Sequence, residues 1–189
     1  MNFVENVNLT GHFLIAMPAM TDPRFAKSVT YICEHNEDGA IGLVINRPMS
    51  MTFDALFGQI DLDLGNNPIA THHVHFGGPV QPDRGFILHQ PPGDWDSTIS
   101  ISGDTALTTS KDILEAVANG TGPQKMLLTL GYSGWSPGQL EKEMGENAWL
   151  SVPANDSVIF DTPSNGRLNA AMNLLGLDFA KLSDEVGHA

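Results

Sequence analysis

Lys125-Met126-Leu127-Leu128-Thr129-Leu130 is an almost wholly apolar run, and the residues after it, Gly131-Tyr132-Ser133-Gly134-Trp135, carry two glycines in five positions. A short apolar run bounded by turn signals has the pattern of a strand buried on both faces. The glycines then read as a tight strand-to-helix turn, with Ser136 as helix cap, Pro137 at its first position and Gly138 to Met144 helical. A central strand needs neighbours, and the chain supplies them. Val29 to Cys33 and Ile41 to Ile45 are strand-like, and His35-Asn36-Glu37-Asp38-Gly39 between them predicts a hairpin. Gly42 interrupts the second run, which marks a bulge or a close backbone approach. Phe13-Leu14-Ile15-Ala16 is a short strand that stops at Pro18, and Asp22-Pro23-Arg24-Phe25 reads as a type I turn. Val74-His75-Phe76 and Gly85 to His89 add two strands, while Thr98 to Ser102 alternates with period two and is expected half-exposed.

Helices are expected in three further places. Thr52 is placed to cap a short helix with Phe53, Leu56, Phe57 and Ile60 on one face. Thr108 or Thr109 is read as the cap of a helix that turns Ile113, Leu114, Val117 and Ala118 inward and stops at Asn119-Gly120. Val158-Ile159-Phe160 reads as a strand end, and Gly166 to Leu175 as a final helix. Hairpins and helices mix without regular alternation. The expected fold is α+β, one compact domain over residues 1–189 of antiparallel or mixed sheet with packed helices.

The chain has 9 Lys+Arg against 22 Asp+Glu in 189 residues, a formal net charge of −13. Direct nucleic-acid binding needs a basic stripe that nine cations among so many anions do not make. Anionic lipid would repel the same surface, so no membrane partner is expected. The single cysteine, Cys33, excludes an intramolecular disulfide and reads as a small buried hydrophobe in a strand. No positive n-region and apolar h-region open the chain, and no stretch approaches the length of a membrane span, so the expected compartment is the cytoplasm.

Several motifs invite chemistry. Thr71-His72-His73-Val74-His75 would place His73 and His75 on one strand face, where two imidazoles can share a metal, but the third ligand is missing and half-exposed strand histidines are the plainer reading. Gly131-Tyr132-Ser133-Gly134 approaches the G-x-S-x-G nucleophile elbow with its second glycine one residue early. Ser133 as nucleophile with His89 as base and Asp161 as orienter is therefore the candidate catalytic set. Gly39-Ala40-Ile41-Gly42 and Gly77-Gly78-Pro79-Val80 lack phosphate-loop spacing and its lysine, so turn and bulge glycines are expected. Asn46-Arg47-Pro48 and Arg84 stand out because cations are scarce. A guanidinium fork can grip a carboxylate or phosphate, or pair with one of the chain's own acids. Glu141, Glu143 and Glu146 with Lys142 read as the solvated side of a helix, and Trp135 and Trp149 as its anchors to the sheet, Trp135 being the ligand-stacking candidate of the two.

Laid end to end, the motifs resemble the YqgE/AlgH family, the UPF0301 group of bacterial proteins. The resemblance rests on Gly11-His12-Phe13-Leu14-Ile15-Ala16-Met17-Pro18, on Gly39 to Pro48, on Gly77-Gly78-Pro79-Val80 with Phe86-Ile87-Leu88-His89, and on Gly131 to Trp135 with Pro137 to Glu141 and Asn147-Ala148-Trp149. It spans roughly residues 9 to 175 in the family's order. What it implies of fold is one compact α+β unit. What it implies of function is thin: cytosolic bacterial proteins with no settled activity, some carrying a transcriptional-regulator label from a link to alginate expression. No helix-turn-helix or other reader motif accompanies that label here. The expected function is a non-catalytic module that binds a partner protein or a small ligand, without a cofactor, with any role in transcription indirect. The alternative is a hydrolase built on Ser133 and His89.

Overall fold

The structure, a computed structural model, describes residues 8–176. In chain order its strands are β1 (His12–Ala16), β2 (Val29–Asn36), β3 (Gly39–Val44), β4 (Pro48–Thr52), β5 (His73–Phe76), β6 (Val80–Gln90), β7 (Thr98–Ser102), β8 (Thr105–Thr108), β9 (Lys125–Trp135) and β10 (Trp149–Pro153). Its helices are α1 (Phe53–Gln59), α2 (Asp112–Ala118), α3 (Gln139–Gly145), α4 (Asp156–Phe160) and α5 (Arg167–Leu174), with short 3-10 turns at Pro68–Thr71 and Ser164–Gly166. The strands form one sheet in the order β10-β1-β2-β3-β9-β6-β8-β7, with β4 paired to β5 and β5 to β9. Every pairing is antiparallel except β5 with β9.

The apolar run at 125–130 is the central strand, as its composition implies, but the strand does not end at Gly131. It continues to Trp135, and the expected strand-to-helix turn is not there. Gly131 is instead where β9 changes partner along one edge. Before it, Thr129 and Leu130 pair with His75 and Phe76 of β5; beyond it, Ser133 to Trp135 pair with Gly42 to Ala40 of β3. The backbone there has φ +76°, and a Cβ on Gly131 would lie 2.3 Å from the Gly78 carbonyl oxygen. Gly131 therefore marks a close crossing of backbones with the Gly77-Gly78 segment, which a side chain would block. Ser136 is not the helix cap either. Gly138, at φ +77°, takes that position, and the Gln139 side chain reaches back to the Ser136 N–H at 2.9 Å.

Other departures have similar causes. Thr105–Thr108 is strand β8, and the following helix starts from Lys111 without a side-chain cap. Val158 to Phe160 is helix, capped by the Asn155 side chain on the Ser157 N–H at 2.9 Å. A three-residue apolar run is too short to show its period. The β2–β3 hairpin is present, with a register shift between Ile32 and Glu34 opposite Gly42. Thr52 caps α1, as its position predicts.

The sheet curls so that its far ends approach: a Cβ on Gly11, just before β1, would meet Ser102 of β7 at 3.1 Å. Alternate residues then fill separate layers. Phe13, Ile15, Tyr31, Leu43, Leu88 and Leu127 pack with Val158 and Ile159 of α4 and Ala171 and Met172 of α5. On the other face, Val74, Ile87, Leu128 and Leu130 pack under α1 and α2. Leu14, Ile32, Trp135 and Trp149 pack under Leu140 of α3. Leu127 and Leu128 fall in different layers, which is why β9 reads as apolar throughout.

Candidate functional site

A cleft of about 630 Å³ opens where β5 and the start of β9 meet the α4–α5 connection. Phe53, Met126, Leu128, Phe160 and Pro163 supply apolar wall, and polar residues make up about half of the lining. Thr71 and His72 reach it from the 3-10 turn before β5, and its other polar groups come from two elements. In His73-Val74-His75-Phe76 the period-two alternation of β5 sends both histidines to the cleft, His73 exposed and His75 buried. Across from them, Pro163 leads into the 3-10 turn at Ser164–Gly166, closed by the Gly166 N–H on the Pro163 carbonyl at 2.9 Å. That turn delivers Ser164 and, one residue on, Arg167 at the start of α5.

Arg167 is 7% exposed. Its Nε donates to the Thr162 carbonyl at 2.9 Å, and its Nη1 to the Ile45 carbonyl at the end of β3. Nη1 also lies 3.2 Å from His75 Nε2 and 3.4 Å from Ser164 Oγ. Among the described residues no carboxylate pairs with it. Burial draws its pKa down to about 10. Arginine is almost never this buried without an acid.

His75 is 6% exposed, and its Nε2 lies 2.6 Å from Ser164 Oγ. A guanidinium can only donate, so Nε2 is the acceptor and the neutral ring carries its proton on Nδ1. Nδ1 is buried with no well-formed hydrogen bond. Burial, then the neighbouring Arg167 charge, push the His75 pKa down to about 4. Ser164 and His75 thus have the spacing of a nucleophile and its base without the chemistry. The imidazole is a poor base at neutral pH, and no acid orients Nδ1.

The candidates from sequence fall elsewhere for the most part. Ser133 is fully buried and donates to the Gly77 carbonyl at 3.2 Å. His89 is also buried, with Nδ1 on the Pro91 carbonyl at 2.9 Å and Nε2 against the Thr108 hydroxyl at 2.6 Å. His89 pairs with Met126 of β9, seven positions from Ser133, so the two are separated by roughly 20 Å of strand and do not meet. Asp161 binds Lys125 at 3.2 Å instead of orienting His89.

Asn46 and Arg47 hold a turn. The Asn46 side chain accepts from the Val29 N–H at 2.9 Å and donates to the Lys27 carbonyl at 3.0 Å. Arg47 donates to the Pro23 carbonyl at 2.7 Å and to that of Ala26. Its structural partners are thus backbone carbonyls of the Asp22–Phe25 turn and its neighbour. Arg84 is exposed over the Phe86 ring, 5.6 Å from its centroid. Trp135 is buried, with its indole N–H on Glu143 at 3.1 Å. Trp149 donates to the same Glu143 oxygen at 2.9 Å, and the two indoles meet edge-on at 6.0 Å. The solvated helix face expected for Glu141 and Glu143 is therefore corrected, since Glu143 bridges two indoles and Glu141 pairs with His35. Both tryptophans do anchor α3 to the sheet.

His73 and His75 do share a face, yet a metal there would have to displace Ser164 and sit beside a guanidinium. His73 Nδ1 is engaged by the Met49 carbonyl at 2.7 Å. No group of three or more His, Cys, Asp or Glu among the described residues is arranged to hold a metal. Sequence reasoning missed Ser164 and Arg167. The available signal was charge: Arg167 is the only Lys or Arg between Lys142 and Lys181.

The AlgH-like family profile matches residues 13–180. A UPF0301 protein of Nitrosospira multiformis is 57% identical over 186 residues, 98% of this chain and 100% of the relative. Another, of Chromobacterium violaceum, is 56% identical over 186 residues with the same coverage. The solution structure of the AlgH protein from Pseudomonas aeruginosa superposes with a TM-score of 0.80 at 47% identity, over 94% of each chain. A crystal structure of a protein from Corynebacterium diphtheriae, at 22% identity, shares the fold, with a TM-score of 0.72 over 94% of this chain and 93% of that one.

Proposed function

The chain belongs to the AlgH-like family, and we propose that it is a non-catalytic protein that binds a small ligand in the cleft between β5 and α5. One observation carries this reading: in a cleft whose lining mixes apolar and polar residues, three buried or hydrogen-bonded polar side chains, His75, Ser164 and Arg167, converge from two separate elements. A concave, mostly apolar site with a few convergent polar groups is how small-molecule sites are built. The depressed basicity of His75 supports binding over catalysis. A hydrolase reading is favoured only by the 2.6 Å contact of Ser164 with His75. It would stand if an ester substrate were found whose turnover Ser164→Ala abolished.

Any influence on transcription then passes through a partner protein, because a net charge of −13 opposes direct DNA contact. No helix among the described residues is long and apolar enough to cross a membrane, and the buried Cys33 thiol suits the cytosol we assign. The test is titration of ¹⁵N-labelled protein with a library of small metabolites. Hits are expected to shift amides of β5 and residues 163–168. Hits that shift only other surfaces would refute the cleft as the site.

A further inference from the structure

We infer that the cleft ligand is an apolar monocarboxylate, held through its carboxylate by the free end of the Arg167 guanidinium; this rests on the cleft being the ligand site. Two of the three guanidinium nitrogens are committed, Nε to the Thr162 carbonyl and Nη1 to the Ile45 carbonyl, beside Ser164 and His75. The third, Nη2, makes no hydrogen bond among the described residues, and Arg167 lines the cleft. The protein thus fixes the cation with two backbone carbonyls and leaves one donor nitrogen without a partner among the described residues. An arginine that served only to staple α5 to β3 would be expected to carry a carboxylate as well, and the chain has 22 acids to choose from. None of the described ones is paired with it.

The lining fixes the charge and the body of the ligand. Among the described residues, Arg167 is the one Lys or Arg that lines the cleft, and no Asp or Glu lines it. A single negative charge balances the site, whereas a phosphate dianion would leave one charge over among Phe53, Leu128, Phe160 and Pro163. His75 does not supply the second positive charge, because its burial, and then Arg167 beside its Nε2, disfavour protonation. Charge-assisted N–H to carboxylate bonds are among the stronger single contacts available, and the apolar walls accept the rest of the molecule.

The probes are 3-phenylpropionate, its uncharged amide and inorganic phosphate, each titrated by calorimetry and by amide shifts into the full chain at neutral pH. The acid is expected to bind at least tenfold more tightly than the amide, with shifts in β5 and residues 163–168, and phosphate not to compete. Arg167→Gln should erase the preference for acid over amide. Because that variant also loses backbone contacts, a charge-reversed probe provides a second arm on the unaltered chain: 3-phenylpropylamine, cationic at neutral pH, should bind more weakly than the amide, and binding as tight as the acid's would overturn the carboxylate assignment. Equal affinity for acid and amide, with cleft shifts from both, would overturn the carboxylate assignment and leave the cleft as a neutral-ligand site. Phosphate binding tighter than the acid, or no cleft shifts from either organic probe, would overturn it also.

Discussion

His75 makes the stability of this protein depend on pH in a defined window. In the native state the imidazole stays neutral down to about pH 4, because it is buried and faces Arg167. In the unfolded chain it takes up a proton near the ordinary value of 6.5. Between those limits the unfolded state binds more protons, so stability is full above about pH 6.5, declines as the pH falls toward 4, and levels off below. At about 1.4 kcal/mol per pH unit, the gap between 6.5 and about 4 comes to about 3 kcal/mol at most. His89, lowered by burial against a smaller opposing effect of the Pro91 carbonyl, acts in the same direction. The two are separated by substitution. His75→Gln fills the site with a group that does not titrate and leaves His89 in place. Urea unfolding followed by tryptophan fluorescence, from about pH 7.5 to about pH 4.5, gives the difference in stability between wild type and variant at each pH. That difference should shift in favour of the variant by about 2.5 kcal/mol across the range, which stops short of the native pKa. A difference independent of pH would refute the burial of a neutral His75 against Arg167.

Glu143→Ala leaves two buried indole N–H groups without an acceptor and should cost about 3 kcal/mol, whereas Glu143→Gln, which keeps one carbonyl oxygen for both, should cost less than about 1 kcal/mol; urea denaturation compares them. Gly131→Ala should lose more than about 3 kcal/mol because its Cβ would lie 2.3 Å from the Gly78 oxygen at φ +76°. Gly145→Ala, at the end of α3 with nothing within 4 Å of its Cβ, should be neutral or stabilising by about 0.5 kcal/mol, and thermal melting of the pair reads the contrast. Arg47→Met should free the Pro23 and Ala26 carbonyls and speed proteolysis within residues 22–27, at a global cost of about 1–2 kcal/mol.

The fold was readable where side-chain pattern alone sets structure. The β2–β3 hairpin follows from two β-branched runs around a polar turn, and α1 from apolar residues three and four apart behind Thr52. It was misread where structure depends on something distant in sequence. Gly131 and Gly134 look like a turn because nothing local reveals that Gly77-Gly78 crosses the strand there. Thr108 or Thr109 looks like a helix cap because the pairing of β8, which ends at Thr108, with β6 is invisible in so short a run. The same limit applies to the site. His75 was legible as a strand histidine, but its partners Ser164 and Arg167 lie 89 and 92 residues further on. Arg47 and Arg84 attracted notice for their rarity, and the same scarcity applied with more force to Arg167, isolated from every other cation in the C-terminal part of the chain.

The most direct measurement is a crystal structure of the protein soaked with 3-phenylpropionate. The expected result is a carboxylate oxygen about 2.8 Å from Arg167 Nη2, with the phenyl ring against Phe53 and Leu128. A ligand seated elsewhere, or a cleft ligand whose carboxylate points away from Arg167 into solvent, would contradict it.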